Sequence, residues 1–202
     1  TLDFALVSEI QVEGALFDSS GKYVAPDGQV IFRPQAFFTV LNGNGEVRYT
    51  RNGKFTVNAA GELVTPDGYR VLGDDGQPIV LRDPATDAPV GNVKLDATGL
   101  LMTEDGQPLA GFLLTRVDNP NRLVPEGNGV FRLNPDDAAL AVPVEVSGEV
   151  QIRQGFVERS NVDAAQSMVD LMTALRAYEA NQKIVQYYDR SLEKTVNEVG
   201  RV

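Results

Sequence analysis

Apolar and polar residues follow two different patterns along this chain. Up to about residue 157, apolar residues occur in short runs separated by Asp-Gly, Asn-Gly and Pro, which is typical of short antiparallel strands and tight turns. Over residues 160–199 there is neither Pro nor Gly, and apolar residues recur every three or four positions, which predicts one long α-helix. We therefore expect a mainly β fold with a long C-terminal α-helix, divided into an all-β domain of hairpins over 1–157 and a helix over 158–202.

The predicted helix is too long for the β-domain that precedes it. At 1.5 Å per residue it extends over roughly 55–60 Å. A domain of this size measures about 30–35 Å across, judged from its expected radius of gyration. We therefore expect a projecting helix of coiled-coil type that other subunits cover. The alternative is a helix folded back along its own β-domain, which the length disfavours.

One face of the predicted helix carries an apolar seam. Its residues follow alternating steps of three and four, the 3.5-residue period of a coiled coil. The predicted interface residues are Met168, Leu171, Leu175, Tyr178, Val185, Leu192 and Val196. Gln182 and Asp189 are polar seam positions, which usually fix register or partner number. A second apolar strip favours contact with several neighbours and consists of Val162, Ala165, Val169, Met172, Ile184 and Tyr188.

The β-region contains an internal repeat. Residues 17–28, 57–68 and 95–106 share the order of a turn, a short strand and an Asp-Gly turn. Because Gly supplies the positive φ that tight turns require, each copy predicts a β-hairpin. Asn-Gly steps at 42–45 and 52–53 predict further hairpins. A β-propeller is disfavoured, since three copies are too few and no blade signature recurs.

Strand candidates fill the rest of the β-region. They occupy residues 36–41, 46–51, 54–58, 78–82, 93–95, 109–117, 129–133 and 144–154. In the last of them, Val146, Val150 and Ile152 share one face. Residues 83–92 and 118–128 are rich in Pro, Asp, Asn and Gly and are predicted to be loops.

Composition disfavours most kinds of active site. The 202-residue chain contains no His, Cys or Trp, so it has no Ser–His or Cys–His pair and no zinc site with the usual ligands. Its net charge of −10 disfavours nucleic acid and anionic membranes as partners. We expect no transmembrane helix and no cleaved signal peptide. The chain begins with Thr1 rather than Met, which we interpret as the start of a fragment.

A few local patterns resemble chemical sites, but each has a structural interpretation that we favour. Residues 42–46 resemble part of a calcium loop whose end positions lack the required carboxylates. The acidic pairs Asp74-Asp75 and Glu104-Asp105 resemble glycosidase carboxylates, yet both occupy turn signals. We therefore predict no enzyme activity, no metal, no cofactor and no small-molecule substrate.

Two sequence blocks point to a known family. The first block contains the motif residues Tyr49, Thr50, Arg51, Gly53, Phe55, Gly61 and Gly68. The second starts at Gly155, leads into the helix and contains Ser160, Asn161 and Val162. In these blocks and in their order, the chain resembles the bacterial flagellar basal-body rod protein family. It is similar above all to distal rod proteins, and more broadly to proximal rod and hook proteins.

The resemblance implies a structural function. Members of this family self-assemble into the axial rod, the drive shaft that transmits torque from the motor to the hook and supports motility. The flagellar type III apparatus exports them, and their terminal helices pack as coiled coils inside a tube of outer β-domains. The implied location is the flagellar basal body in the cell envelope. The implied partners are copies of the chain, other rod and hook axial proteins, and the export apparatus.

The chain departs from the family pattern in two places. The N-terminal helix that partners the C-terminal helix is absent from this chain, and residues 7–36 form an insertion before the Phe37-Phe38 strand. The insertion leaves the rod paralogue open. The alternatives are a hook protein, a phage-tail-type axial protein, and an extracellular carbohydrate-binding module, which the lack of Trp disfavours.

Overall fold

The computed structural model of the protein contains short antiparallel strands and one long helix. It describes residues 2–82, 88, 90, 92–156 and 164–199. Within the helix, side chains are described at 171–188, 190, 192 and 193. The chain divides into two compact units, Thr1–Glu158 and Arg159–Val202. The expected fold class, mainly β with a long C-terminal helix, is confirmed.

The first unit, called the β-unit from here on, contains seventeen short strands within its described residues. In chain order they are β1 (Asp3–Ser8), β2 (Lys22–Val24), β3 (Val30–Phe32), β4 (Gln35–Leu41), β5 (Val47–Thr50), β6 (Gly53–Lys54), β7 (Thr56–Val57), β8 (Leu63–Val64), β9 (Arg70–Val71), β10 (Val93–Leu95), β11 (Leu100–Thr103), β12 (Pro108–Gly111), β13 (Leu114–Val117), β14 (Val124–Gly127), β15 (Val130–Arg132), β16 (Ala141–Val144) and β17 (Val150–Gln154). Two short 3₁₀-helices, Pro120–Arg122 and Pro135–Leu140, connect strands late in the unit.

These strands pair into antiparallel sheets. The largest sheet has the order β14-β15-β5-β4-β9-β8-β7, and β13 adds to it by pairing with both β4 and β16. Two three-stranded sheets have the orders β17-β1-β6 and β10-β11-β12, and β2-β3 is a separate hairpin. Because β1 pairs with β17, the first and last strands of the β-unit are neighbours, with Phe4 opposite Gln154 and Ser8 opposite Val150.

Four phenylalanine rings form the centre of the core. Phe4, Phe38, Phe55 and Phe112 are buried, and their contacting rings have centroids 5.1 to 6.1 Å apart. Three of these contacts are edge to face, a geometry that contributes about 0.5–1.5 kcal/mol beyond the burial of area. Since the rings come from strands and strand ends of different sheets, the core joins those sheets.

Four hairpin turns share one hydrogen-bond pattern, which confirms the predicted turns of the repeat. In each, the Oδ1 atom of an Asp or Asn accepts the backbone N–H groups two and four residues later. The turns begin at Asp18, Asn42, Asn58 and Asp96. The residue three positions on is Gly, such as Gly61 with φ of 84°, a conformation that residues with a side chain rarely adopt.

A second set of four turns carries Asp-Gly at its third and fourth positions. These turns begin at Ala25, Thr65, Gly73 and Thr103. Three of them complete the predicted repeat copies, so each copy consists of a turn, a strand and a turn. The turn at Gly73 is an additional one that the repeat did not predict.

The predicted hairpin at Asn52-Gly53 is wrong. Strand β5 pairs with β4 and β15, whereas Gly53–Lys54 pairs with β1 in another sheet. Asn52 Oδ1 does accept the Lys54 N–H at 3.1 Å, so a local bend is present. At this bend the chain passes from one sheet to another instead of folding back on β5.

Three predicted strands are interrupted. The candidate at 54–58 divides into β6 and β7 at Phe55, whose N–H donates to the Leu2 carbonyl at 3.1 Å. The candidate at 109–117 divides into β12 and β13 at Phe112 and Leu113. The candidate at 144–154 divides into β16 and β17, because a turn places the Ser147 N–H on the Val150 carbonyl.

Two further segments differ in type from their predictions. Residues 78–82 form isolated bridges, Leu72 with Pro78 and Glu62 with Val80, instead of a strand. The predicted loop 118–128 contains strand β14, which pairs with β15 through residues that include a Pro. Most of the predicted loop 83–92 lies outside the described residues.

Helix α1 spans Ala164–Val199 and agrees with the predicted helix over 160–199. Its 36 residues correspond to about 54 Å at 1.5 Å per residue. Ser160, Asn161 and Val162 lie outside the described residues. In the described part of the chain, no helix combines the length and the apolar character needed to cross a bilayer.

The repeated turns predict that the fold loses stability in acid. Replacing the Asp residues of these turns by Asn should reduce this loss. The Leu100 N–H and the Thr98 side chain hydrogen-bond Asp96 and lower its pKa, and Ser20 in the same way lowers the pKa of Asp18. Both turns therefore stabilise the fold above the unfolded-state pKa of about 3.9 and lose that contribution as pH falls through the lowered pKa. The urea midpoint of Asp18→Asn/Asp96→Asn should fall less than that of the wild type between about pH 5 and pH 2.

Two turns of the wild-type chain that already carry Asn provide the control for this prediction. Asn42 and Asn58 already occupy the same turn position, so the double variant should unfold at the wild-type urea concentration at pH 7. An equal acid loss in both proteins would show that these two carboxylates do not cause it.

Candidate functional site

The predicted interface residues of α1 whose side chains the structure describes are all exposed. Their exposed fractions range from 53% for Leu175 to 62% for Leu171 and Tyr178, with Val185 and Leu192 in between. Residues at seven-residue intervals stay on one side of the helix and drift by about 20° per heptad. Exposed apolar side chains in such a row are typical of interaction sites. Met168 and Val196 lie in α1, but their side chains are outside the described residues.

The second apolar strip lies on both sides of this seam. At about 100° per residue, Met172 lies about 100° to one side of Leu171, whereas Tyr188 lies about 60° to the other side of Val185. Met172, Ile184 and Tyr188 are each more than half exposed. The apolar surface therefore winds around the helix, so that a single straight partner helix would leave part of it uncovered. Val162 is outside the described residues, as are the side chains of Ala165 and Val169.

One polar seam position contacts its apolar neighbour. Gln182 Nε2 lies 3.4 Å from the hydroxyl oxygen of Tyr178, to which it donates a hydrogen bond. Both groups therefore lie on the same stretch of the helix surface. The side chain of Asp189, the other polar seam position, is not among those described. A role of either residue in register stays a prediction.

In the β-unit, Thr50 and Arg51 of the family motif connect strands. Arg51 donates from Nη2 to the Leu6 carbonyl at 3.1 Å and from Nη1 to the Ala36 carbonyl at 3.5 Å, which links the end of β5 to β1 and β4. Thr50 is buried and donates from Oγ1 to the Gly129 carbonyl at 2.9 Å. Arg51 thus joins two sheets, whereas Thr50 supports the pairing of β5 with β15 within one sheet.

The other motif residues of this block also serve the fold. Burial raises the pKa of the Tyr49 phenol, which lies on β5. Phe55 belongs to the ring cluster of the core, and Gly61 and Gly68 have positive φ in their turns. The first block of the family motif thus lies in the scaffold of the β-unit, whereas the seam lies on α1.

Gly53 allows two backbones to approach each other closely. A Cβ atom at this position would overlap the carbonyl oxygen of Phe4 and lie 3.2 Å from a Phe38 ring carbon. Glycine is therefore required by the close pairing of β6 with β1, in which Gly53 lies opposite Phe4, and this explains why its Asn-Gly step does not form a hairpin.

The acidic pairs lie in turns, as their sequence context indicated. Asp75 Oδ1 accepts the Gln77 N–H at 2.9 Å, and Glu104 Oε1 accepts Asn92 Nδ2 at 3.0 Å. Asp105 is the third residue of the turn that begins at Thr103. Among the described residues, no three His, Cys, Asp or Glu side chains are grouped so that they could hold a metal ion.

Sequence models of two families match the chain at the two blocks. Residues 32–92 match the family model described as "Flagellar hook protein FlgE/F/G D1 domain". Residues 153–198 match "Flagellar basal body rod FlgEFG protein C-terminal". The first match covers β4 and the motif residues of the β-unit, and the second covers α1 almost to its end.

Curated relatives align with most of the chain. The flagellar basal-body rod protein FlgF of Caulobacter vibrioides is 30% identical over 192 residues, which cover 94% of this chain and 71% of that protein. FlgG of Agrobacterium fabrum is 31% identical, with 89% and 65% covered. The flagellar hook-basal body complex protein FlhP of Bacillus subtilis is 31% identical, with 82% and 63% covered. The chain thus spans less than two thirds of the length of FlgG and of FlhP.

The close approach of Gly53 to Phe4 predicts a large effect of a single methyl group. Gly53→Ala should destabilise the β-unit by about 3 kcal/mol, the upper end for overpacking, because the new Cβ meets backbone that cannot rotate away. Urea unfolding followed by circular dichroism measures this loss. Gly43→Ala is the matched control, since no atom lies within 4 Å of its Cβ position and Ala59 occupies the same place in a related turn. Equal urea midpoints for the two variants would contradict the assignment.

Proposed function

This chain belongs to the bacterial flagellar basal-body rod and hook protein family, and we propose that it is a structural subunit of the flagellar rod. The observation that carries the proposal is the apolar face of α1, on which Leu171, Leu175 and Leu192 are more than half exposed. A rod supplies the neighbours that such a face needs. The relatives named above are themselves rod and hook-basal body proteins.

Helix α1 assembles with copies of the chain and with other rod and hook axial proteins. Covering one leucine side chain contributes about 1.5–3 kcal/mol, so a row of apolar side chains provides a strong drive for association. Because the apolar surface winds around the helix, several neighbours cover it. Gln182 and Asp189 then favour one register among the possible alignments. The division into a domain over 1–157 and an assembly helix over 158–202 belongs to this proposal.

The β-unit forms the stiff outer part of the subunit and carries torque. Its stiffness comes from the ring core and from links between strands, such as Arg48 Nε, which donates to Glu126 Oε2 at 2.6 Å. Arg132 lies 3.4 Å from the other oxygen of the same carboxylate, so Glu126 links β5, β14 and β15. The hydrogen bond to Glu126 raises the pKa of Arg48, which is charged at any physiological pH.

The location that fits this role is the flagellar basal body in the cell envelope, reached through the flagellar type III export apparatus. The subunit has no catalytic role in this proposal and takes no cofactor, nucleic acid or small-molecule substrate. A hook position is the second candidate, because the D1 description that matches residues 32–92 names the hook protein as well. Phage-tail and carbohydrate-binding functions have no comparable support.

The seam predicts a variant that folds but does not assemble. Leu175→Asp in the full-length protein removes an apolar contact and places a charge in a packed helix bundle, where an unpaired ion costs several kcal/mol. We expect normal protein levels, no completed rods in electron micrographs and non-motile cells. The β-unit has its own core, so its urea midpoint should not change.

Gln186→Asp is the matched control for this prediction. It adds the same charge on the exposed helix surface that carries Lys183 and Arg190, about 100° from Val185 and about 160° from Ile184 and Tyr188. Cells with Gln186→Asp should assemble rods and swim. Normal motility with Leu175→Asp would show that the seam is not the assembly surface.

A further inference from the structure

Strand β17 is the last strand before the chain leaves the β-unit. One of its edges pairs with β1, with Phe4 opposite Gln154, and it stands at the end of its sheet. Strand β10 likewise stands at the end of its own sheet, with β11 on its other side. A contact between β17 and β10 therefore joins the edges of two sheets.

The side chain of Gln154 makes this contact. Its Oε1 atom accepts the Leu95 N–H at 2.9 Å, and its Nε2 atom donates to the Val93 carbonyl at 2.8 Å. The two backbone groups flank Lys94 and point to the same side, as they do along the edge of a strand that can pair with a further strand. The carboxamide thus takes the place of one peptide group of a neighbouring strand.

Few side chains can both accept from the Leu95 N–H and donate to the Val93 carbonyl. The carboxamide of Gln carries a donor and an acceptor in one plane, while an ionised Glu of the same shape has acceptors only. A carboxylate at position 154 would bring a negatively charged oxygen to the Val93 carbonyl. Gln154 also continues the period-two face of Val150 and Ile152, so it is a polar residue at a position where alternation predicts an apolar one.

The position of the Gln154 contact matters when the chain carries a mechanical load. The Gly155 N–H donates to the Asp3 carbonyl at 2.8 Å, and this bond and the Phe4–Gln154 pair end the β1–β17 ladder. A force on the residues that follow, directed away from the sheet, opens the ladder from this end, one pair at a time. Two additional hydrogen bonds at residue 154 oppose the first step of that opening.

We propose that Gln154 is a positioning residue that locks the last strand of the β-unit between two sheets, so that load on the assembly helix does not peel β17 from β1. This role rests on the proposed function, since a rod subunit transmits torque through this segment. Gln154 thus has a mechanical role at the end of the last strand of the β-unit, just before the segment that leads to α1.

The first test measures amide hydrogen exchange in the 202-residue chain. In Gln154→Glu at pH 7, the carboxylate is repelled by the Val93 carbonyl and moves away, so the Leu95 N–H loses its acceptor. Exchange of the Leu95 amide should then rise at least about fivefold over the wild type, the effect of losing one net hydrogen bond. At about pH 3.5 the protonated side chain regains a donor, so the ratio to wild type should return toward one. Gln151→Glu on the same strand is the control and should leave Leu95 unchanged. An unchanged Leu95 amide in Gln154→Glu would overturn the proposal.

The second test measures load in cells. Strains with Gln154→Glu or Gln151→Glu in the full-length protein should form rods in normal number and swim normally in dilute buffer. In a medium thickened with methylcellulose, Gln154→Glu cells should lose at least about half of their relative speed, whereas Gln151→Glu cells should not. Equal responses of the two strains would overturn the mechanical role. Absence of the wild-type protein from isolated basal bodies would instead refute the rod function and leave the exchange result standing.

Discussion

Water disfavours an exposed apolar face such as that of α1, and in the proposed assembly other helices cover this face. The β-unit buries its own rings and needs no partner for its core. Leu171, Leu175 and Leu192 remain more than half exposed. In the proposed assembly, the β-unit supplies a core of its own and α1 supplies the drive to associate. This division suits a subunit that must fold singly and function only in an assembly.

Repeated local turns and a few long-range links hold the β-unit together. The Asx and Asp-Gly turns hold short strands in register through hydrogen bonds within five residues, which form at little cost in chain entropy. Arg51, Gly53 and Gln154 then join segments that are distant in sequence. These three residues connect sheets by different means: a guanidinium that bonds two carbonyls, a missing side chain, and a carboxamide that imitates a peptide.

Local sequence signals predicted much of this structure, and non-local pairing accounts for the errors. The turns at Asn58 and Asp96 were predictable because their side chains and glycines act within five residues. Asn52-Gly53 carries the same local signal, but the close approach of Phe4 decides its conformation. Strand β14 was missed because its Pro and Gly indicate a loop, while pairing with β15 makes it a strand. The one signal for Gln154 was its polarity on an otherwise apolar strand face.

The most direct test of the central claim compares the accessibility of the seam before and after assembly. The chain contains no cysteine, so Leu175→Cys places a single thiol on the seam, and Asn44→Cys places one on an exposed turn as a control. A maleimide reagent should label both thiols in the dilute subunit. In isolated basal bodies it should label position 44 and leave position 175 unreacted. Equal labelling of position 175 in the subunit and in the rod would contradict assembly through the seam.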